Sequence, residues 1–228
     1  MIKRLMAAFA FAAVVSTPVS GAIIYNTGGV AVDIPGLTGF STTGAMMDGM
    51  QVTACFTGNV CETRAWADGG GADSGGVVGT GWALSLIGDS FFQNWQFDFT
   101  NDPGQLLTLR LDGEGALTIF DRTFGGANGT PGSASGLDWN SALGAIPNTT
   151  INVTFLDPTT IDGAAAVGDI FQQVLVDFGV TGPTDDFTFV QDTDNDSRFN
   201  PPTIPEPSTL LLLVLGMLAF AGVHRRRV

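Results

Sequence analysis

Three aspartates near residue 195 alternate in the way that an oxygen-rich cation site requires. Asp192, Asp194 and Asp196 are separated by single residues, and carboxylates at alternate positions begin the calcium loop of an EF-hand. The stretch then departs from that loop, because Ser197 stands where glycine should turn the chain and Thr203 stands where a bidentate glutamate should close the site. Calcium binding is one prediction for these residues, and the departures favour the other, a solvated acidic linker.

The only cysteines of the chain, Cys55 and Cys61, are the second candidate for chemistry. Thr57, Gly58 and Asn59 lie between them and favour a turn. In an exported protein, an even cysteine count at hairpin spacing predicts a disulfide, worth about 2 kcal/mol for so short a loop. The alternative is a redox or metal-binding pair, but two cysteines without a histidine cannot complete a zinc site.

The third candidate is a group of aromatic rings that could stack against sugars. The chain has four tryptophans, namely Trp66, Trp82, Trp95 and Trp139. Trp95 shares one face of an alternating stretch with Phe97 and Phe99, so core packing explains it. The other three have two interpretations, a platform that binds polysaccharide or a place in the hydrophobic core, and the core is the favoured one.

Catalytic constellations are weak throughout the chain. The single histidine, His224, lies beside the C-terminal arginines, so a Ser-His-Asp or Cys-His site cannot form in the central region. A glycosidase needs two carboxylates about 5 to 10 Å apart, yet this region has only two glutamates and one of them, Glu114, sits in a predicted turn. Aspartate pairs keep a glycan-active hydrolase as an alternative. The sequence favours a non-enzymatic protein that has no cofactor apart from the calcium considered above.

The elements that must position these residues are strands, because apolar and polar residues alternate along residues 23–191. Asp-Gly pairs between the alternating stretches favour hairpin turns, and the glycine-rich segments 69–81 and 125–136 predict loops. The strand candidates are 23–25, 50–56, 62–67, 81–86, 95–99, 107–111, 117–120, 151–155, 171–178 and 187–191. The pattern predicts an all-β ectodomain, an antiparallel β-sandwich of jelly-roll type. Residues 192–204 are predicted to be an acidic, proline-bearing linker after it.

The charge of residues 23–204 restricts the class of partner. This region carries 21 acidic residues against four arginines, which gives a net charge of −17. Such a surface repels the phosphates of nucleic acids, so nucleic-acid binding is excluded. It favours solubility outside the cell and attracts cations.

The N-terminal segment has the order of a secretory signal peptide. Lys3 and Arg4 supply a basic start, residues 5–15 are apolar, and Ser20 and Ala22 place small residues at a cleavage site. We expect the secretion machinery to export the chain and a signal peptidase to cut after Ala22. Residues 1–22 are therefore assigned to the signal peptide.

The C-terminal segment has the order of a membrane anchor. Residues 208–223 are uncharged, and as a helix they would extend about 24 Å, a marginal length for crossing a bilayer. Arg225, Arg226 and Arg227 follow them as a stop-transfer flank. The sequence predicts a single transmembrane helix here.

A short motif stands just before this predicted helix, at Pro205, Glu206 and Pro207. Pro-Glu-Pro, an apolar helix and a terminal arginine cluster closely resemble the PEP-CTERM sorting signal of exosortase substrates, a tail also labelled an ice-binding protein C-terminal motif. The resemblance covers residues 205–228 and implies that the anchor is temporary. It implies that a membrane exosortase cuts near Pro-Glu-Pro and releases or transfers the ectodomain, in organisms that make exopolysaccharide.

These observations lead to one functional prediction and two alternatives. The prediction is an exported, non-enzymatic protein of the cell surface or extracellular matrix, processed by an exosortase and associated with exopolysaccharide or biofilm. The first alternative is a carbohydrate-binding module for that exopolysaccharide. The second is a glycan-active hydrolase.

Overall fold

The regular secondary structure of the chain is mostly β-strand wherever its structure, a computed structural model, describes it. The described ranges are residues 22–34, 42–122, 136–141, 150–161 and 168–195. They form fifteen strands in two sheets, and their helical elements are short 3₁₀ turns at Gly44–Met47, Glu114–Ala116 and Gly179–Thr181. The prediction of an all-β fold is confirmed.

The strands follow one another at short intervals, as the spacing of turn residues predicted. In chain order they are β1 (Ile23–Gly28), β2 (Val32–Ile34), β3 (Gln51–Phe56), β4 (Val60–Ala65), β5 (Ala67–Asp68), β6 (Ser74–Val78), β7 (Trp82–Ile87), β8 (Trp95–Phe99), β9 (Leu106–Asp112), β10 (Thr118–Asp121), β11 (Asn140–Ser141), β12 (Ile151–Ile161), β13 (Ile170–Asp177), β14 (Phe187–Val190) and β15 (Asp192–Asn195). Each of the ten strand candidates overlaps one of these strands.

The larger sheet has nine strands. Its main path runs in the order β1-β12-β13-β9-β3-β4, while β10 joins through β13 and β15, and β2 pairs with β12. β3 and β4 form a hairpin in which Gly58 and Asn59 adopt positive φ angles of 85° and 60°. Glycine and asparagine tolerate this left-handed backbone better than other residues, which explains why the chain reverses between the two cysteines.

The smaller sheet has six strands in the order β11-β14-β8-β7-β6-β5. Strands β5 to β8 pair with their neighbours in chain order and are antiparallel. β14 then adds to β8, and β11 adds to β14. Four successive hairpin-connected strands therefore form most of this sheet, and the chain returns much later to complete it.

The two sheets share one hydrophobic core, which is the arrangement of a β-sandwich. Alternate residues of several strands face inward, so β7 contributes Trp82, Leu84 and Leu86 while Ala83 and Ser85 between them stay partly exposed. The larger sheet contributes Val52, Ala54, Phe56, Leu106, Leu109, Leu111, Ile151, Val153, Phe155, Phe171, Val174 and Val176. Burial of these side chains is the main favourable term for the fold.

The prediction of a wholly antiparallel sandwich is wrong at one place. β1 runs parallel to β12 along six residue pairs, and β2 runs parallel to the end of the same strand. β1 and β2 each lie more than a hundred residues before β12 in the chain, so no tight turn forces either of them to pair with β12 in the antiparallel direction. With nine and six strands, the sheets also exceed the roughly eight strands of a jelly roll.

Two segments predicted to be irregular are strands. Residues 69–81 were expected to be a glycine-rich loop, but β6 occupies Ser74–Val78 because Val77 alternates into the core while Gly75 and Gly76 fit between neighbouring strands. Residues 192–195 were expected to belong to a linker, but they form the buried strand β15. The ectodomain therefore extends past residue 191.

The described ranges contain no helix with the length and apolar character needed to cross a membrane. The predicted transmembrane helix at 208–223, the signal peptide up to residue 21, the glycine-rich segment 125–135 and the linker beyond residue 195 lie outside the described residues.

Candidate functional site

The predicted disulfide between Cys55 and Cys61 is confirmed. The two residues lie directly opposite each other on β3 and β4, with their Cα atoms 4.0 Å apart. β4 is an edge strand that pairs with β3 alone and is mostly exposed. The bond therefore fastens an exposed edge strand to its neighbour, and it uses both cysteines of the chain.

The favoured interpretation of the tryptophans, a place in the hydrophobic core, is confirmed, and the alternative of a sugar-stacking platform is wrong. Trp66, Trp82 and Trp139 have relative exposures of 1%, 0% and 0%. Trp66 packs edge-on against Trp95 with ring centroids 5.3 Å apart, and Trp82 stacks on Phe97 at 5.8 Å. A ring without exposed surface cannot contact a ligand, so these residues belong to the core.

Three of the four buried tryptophans, Trp66, Trp82 and Trp95, donate a hydrogen bond through the indole nitrogen, whereas Trp139 Nε1 has no partner among the described residues. Trp66 Nε1 donates a hydrogen bond of 2.8 Å to the Gly44 carbonyl oxygen. Trp95 Nε1 donates one of 3.0 Å to the Gln191 carbonyl oxygen. Buried polar groups need such partners because their desolvation is otherwise uncompensated.

Glu62 is a structural acceptor between the two sheets. From β4 its carboxylate accepts hydrogen bonds from the backbone N–H of Thr80 at 2.6 Å and from Trp82 Nε1 at 2.9 Å, and it pairs with Arg64. The Thr80 hydrogen bond is the main cause that lowers the pKa of Glu62 to about 2, with contributions from Arg64 and Trp82. A catalytic general acid needs a raised pKa, so this glutamate has the opposite character.

The aspartates predicted to bind calcium or to form a linker lie instead on a buried strand. Asp192 and Asp194 are on β15 with exposures of 4% and 5%, and β15 pairs with β10. An EF-hand loop is therefore not formed by residues 192–195. Asp196 lies outside the described residues, and no group of three potential metal-binding side chains occurs within the described ranges. Calcium binding that involves Asp196 stays a prediction.

β15 fixes the loop between β7 and β8 through a buried hydroxyl. Ser90 Oγ donates a hydrogen bond to Asp192 Oδ1 at 3.2 Å, and it accepts from the Thr193 backbone N–H at 3.0 Å and from Thr193 Oγ1 at 2.9 Å. Ser90 has no exposed surface. The aspartate-rich stretch thus has a structural role that its spacing did not indicate.

Burial changes the titration of Asp192 on this strand. Desolvation is the largest cause that raises the pKa of Asp192 to about 8, and the carboxylates of Asp194 and Asp121 raise it further. The hydrogen bond from Ser90 opposes the shift. Asp192 is therefore largely protonated at mildly acidic pH in the folded protein.

An open cavity lies on the outer face of the six-stranded sheet. Its floor is a row of polar side chains in register, because Gln96 on β8 lies directly opposite Ser85 on β7 and Thr188 on β14. The cavity has a volume of about 450 Å³ and is lined by Ser85, Ile87, Phe92, Gln93, Asn94, Gln96 and Thr188. We call this feature the outer-face cavity.

One wall of the outer-face cavity is an ordered turn that presents an aromatic ring. Asp89 Oδ1 accepts the Phe91 backbone N–H at 2.9 Å, and the Asp89 carbonyl accepts the N–H groups of Phe92 and Gln93. The buried Ser90 anchors the same turn to β15. Phe92 is 75% exposed and packs edge-on against Phe91 with ring centroids 4.9 Å apart.

The lining of the outer-face cavity has no charged side chain, although residues 23–204 carry a net charge of −17. Gln96 Nε2 donates a hydrogen bond of 2.8 Å to Asp98 Oδ1 on the same strand. This contact orients the Gln96 amide and occupies one of its donors. The cavity therefore offers amide and hydroxyl groups beside an exposed ring.

This cavity was not predicted from the sequence, because tryptophans were the residues considered for sugar binding and none of them lines it. The alternation of β8 did place Gln96 on the face opposite to Trp95 and Phe97, so an outward position could have been predicted. Ser85 lies beside it through the pairing of the neighbouring strands β7 and β8, but Thr188 is brought there by the return of β14 and is 92 residues after Gln96. That long-range contact has no local signal.

The residues predicted to direct sorting lie outside the described residues, so the sequence comparisons alone bear on them. A family described as the PEP-CTERM protein-sorting motif matches residues 203–227. The match includes Pro205, Glu206 and Pro207 together with the three arginines, and it confirms the resemblance. Neither the curated proteins nor the solved structures contain a match to the chain.

The motif indicates an exosortase-sorted extracellular protein with an exosortase as partner. It indicates a route of export, membrane anchoring and delivery to the cell surface.

Proposed function

We propose that this protein is a non-enzymatic component of the cell surface or extracellular matrix that associates with exopolysaccharide after an exosortase cuts near Pro205, Glu206 and Pro207. The observation that carries the proposal is the sorting motif at residues 203–227 behind a disulfide-bonded β-domain. In this proposal the β-domain is the part that stays outside the cell, and the C-terminal tail directs its anchoring and processing at the membrane.

Two properties of the domain suit that location. The disulfide between Cys55 and Cys61 is stable in oxidising compartments outside the cytoplasm. The net charge of −17 over residues 23–204 keeps the domain soluble and disfavours association between copies. Both properties support an exported protein and neither requires catalysis.

Intact mass spectrometry of the protein recovered from the cell surface tests the processing. We expect a mass that begins at Ile23 and ends near Pro205, with a gain of two hydrogen atoms on reduction. In a strain without the exosortase, the tail should persist. A mass that extends to Val228 in the exosortase-positive strain would contradict the proposal.

Matched variants separate the motif from general effects of proline. Pro205→Ala combined with Pro207→Ala should retain the uncut tail. Pro201→Ala combined with Pro202→Ala lies outside the matched residues 203–227 and should be processed normally. Retention of the tail in both variants would assign the effect to chain stiffness rather than to the motif.

The non-enzymatic part of the proposal has its own test. Purified processed protein is incubated with a panel of polysaccharides, and reducing ends are measured over time. We expect no release above a sample without protein. Release that disappears when a single aspartate is changed to asparagine would show a glycan hydrolase instead.

A further inference from the structure

We propose that the outer-face cavity of the six-stranded sheet binds a segment of an uncharged polysaccharide chain. The proposal deepens the exopolysaccharide association proposed above, on which it rests for the biological origin of the polymer. Three features of the cavity support it, namely the chemistry of the lining, the register of the strands and the position of Phe92.

The lining matches the hydroxyl groups of a sugar. The amides of Gln93, Asn94 and Gln96 can each donate and accept hydrogen bonds, and the hydroxyls of Ser85 and Thr188 can do the same. Sugar hydroxyls also donate and accept, so both sides can be satisfied in one complex. An apolar ligand would instead leave these groups without partners, which costs free energy.

The register turns three of these side chains into a straight row. Ser85, Gln96 and Thr188 lie on three adjacent strands at directly opposite positions, and neighbouring strands are about 4.8 Å apart. The row therefore spans about 10 Å across the sheet. A polymer that crosses the strands would meet a polar side chain at each of these intervals, whereas a single small molecule would reach fewer.

Phe92 supplies the apolar contact that sugar rings use. Exposing an aromatic ring to water is unfavourable, yet Phe92 keeps 75% of its surface exposed. A sugar ring that packs on it would remove part of this surface from water. The turn that carries it is held by the Asp89 carboxylate and by the buried Ser90 hydroxyl. The ring is thus positioned in advance beside the polar row, which lowers the ordering cost of binding.

The charge pattern selects an uncharged polymer. The seven lining side chains are neutral, while the surrounding domain is strongly acidic. An anionic polysaccharide would be repelled by that domain and would find no arginine or lysine in the lining to compensate. A protein partner would need a larger apolar contact than Phe92 and the neighbouring Ile87 provide.

Affinity electrophoresis of the purified, processed protein tests the proposal. The gels contain the neutral polymers galactomannan, dextran or hydroxyethyl cellulose, the neutral polysaccharide of the producing strain, or anionic alginate. We expect retardation by at least one neutral polymer and none by alginate. Absence of retardation in every neutral gel, or equal retardation by alginate, would overturn the proposal.

Variants locate the site. Phe92→Ala and Thr188→Val should each weaken the retarding interaction by about tenfold or more, the loss expected when one good contact is removed. Val78→Ala is the control, because Val78 is 74% exposed on β6 of the same sheet but does not line the cavity, and it should bind as the unchanged protein does. Thermal unfolding of each variant confirms that binding is compared between folded proteins.

The remaining outcomes are also decisive. Retardation that persists in both Phe92→Ala and Thr188→Val would place glycan binding elsewhere and overturn the site. Crosslinking from position 92 to a polypeptide, without retardation by any polymer, would show a protein partner instead. These assays use processed protein, so a failure of glycan binding is distinct from a failure of exosortase sorting, which the mass measurement reports.

Discussion

The two faces of the six-stranded sheet use the same strands for different purposes. On the inner face, Trp82, Trp95 and Phe97 are fully buried and stack in the core. On the outer face, Ser85 and Gln96 occupy the intervening positions and line an open cavity. Because side chains alternate along a strand, one face of this sheet stabilises the fold and the other is free to bind a ligand. Substitutions one residue apart should therefore affect either the free energy of unfolding or ligand binding.

The largest expected effect is on the inner face. Trp95→Ala should lower the free energy of unfolding by about 3 to 5 kcal/mol, because it leaves a cavity in the core and removes the donor to the Gln191 carbonyl. Urea denaturation followed by circular dichroism measures the change. Gln96→Ala is the matched control from the outer face. Similar losses of unfolding free energy in the two variants would contradict the view that only the inner face stabilises the fold.

The next largest effect is expected at Asp192, a buried polar residue that belongs to neither face of the six-stranded sheet. The pKa of Asp192 is raised from 3.8 to about 8, so the folded state binds more protons than the unfolded state between these values. Stability therefore falls as pH rises through this window. One unit of the shift corresponds to about 1.4 kcal/mol, and we expect a loss of at least that size from about pH 5 to about pH 9.

Thermal or urea unfolding across this pH range tests the effect, and Asp192→Asn is the control. The amide does not titrate, so its pH dependence should be flatter. The groups that face Asp192 are Ser90, Asp121 and Asp194. An unchanged slope in Asp192→Asn would show that Asp192 is not the source of the pH dependence.

A smaller effect comes from Glu62, which reaches from the other sheet to the edge of the inner face. Glu62→Gln should lower stability near neutral pH by about 1 kcal/mol, since the carboxylate accepts from the Thr80 N–H and from Trp82 Nε1. The pKa of Glu62 is lowered from 4.5 to about 2. Its contribution is therefore complete above about pH 4.5 and is lost as pH falls toward about 2.

Acid titration of the unfolding free energy measures this contribution. The difference between the unchanged protein and Glu62→Gln should shrink as the pH falls through that window. Glu114→Gln is the control, because Glu114 is exposed in a 3₁₀ turn. A difference that stays constant with pH would show that the charge of Glu62 does not matter.

Much of the fold was predictable from local patterns. Alternation located strands such as β8 and β12, and the spacing of Cys55 and Cys61 predicted the disulfide. Local patterns did not predict the strand pairings that depend on long-range contacts. Nothing in the sequence near β1, for example, indicates its parallel pairing with β12. β15 was predicted to be a solvated linker because its residues are polar. Its burial is explained by its pairing with β10 and by the hydrogen bonds of Thr193 and Asn195 to neighbouring elements.

Of the candidate sites, the sorting motif was predictable from the sequence and the outer-face cavity was not. The sorting motif is contiguous in the chain, so residues 203–227 are recognisable without a structure. The outer-face cavity is assembled from β7, β8 and β14, and its aromatic ring is Phe92 rather than a tryptophan. Tryptophans are common sugar-binding residues, but in this domain all four are buried in the core.

The smallest effect on stability is expected on the outer face, and it completes the comparison. Phe92→Ala should change the free energy of unfolding by less than about 0.5 kcal/mol, as is usual for exposed positions, because its ring is 75% exposed. Its nearest counterpart is Phe97→Ala on the inner face, where the buried ring stacks on Trp82 and Phe187 and the loss should be several-fold larger. Urea denaturation of the two variants side by side measures both values. A large loss in Phe92→Ala would mean that the exposed ring stabilises the turn, and the outer face would then serve folding as the inner face does.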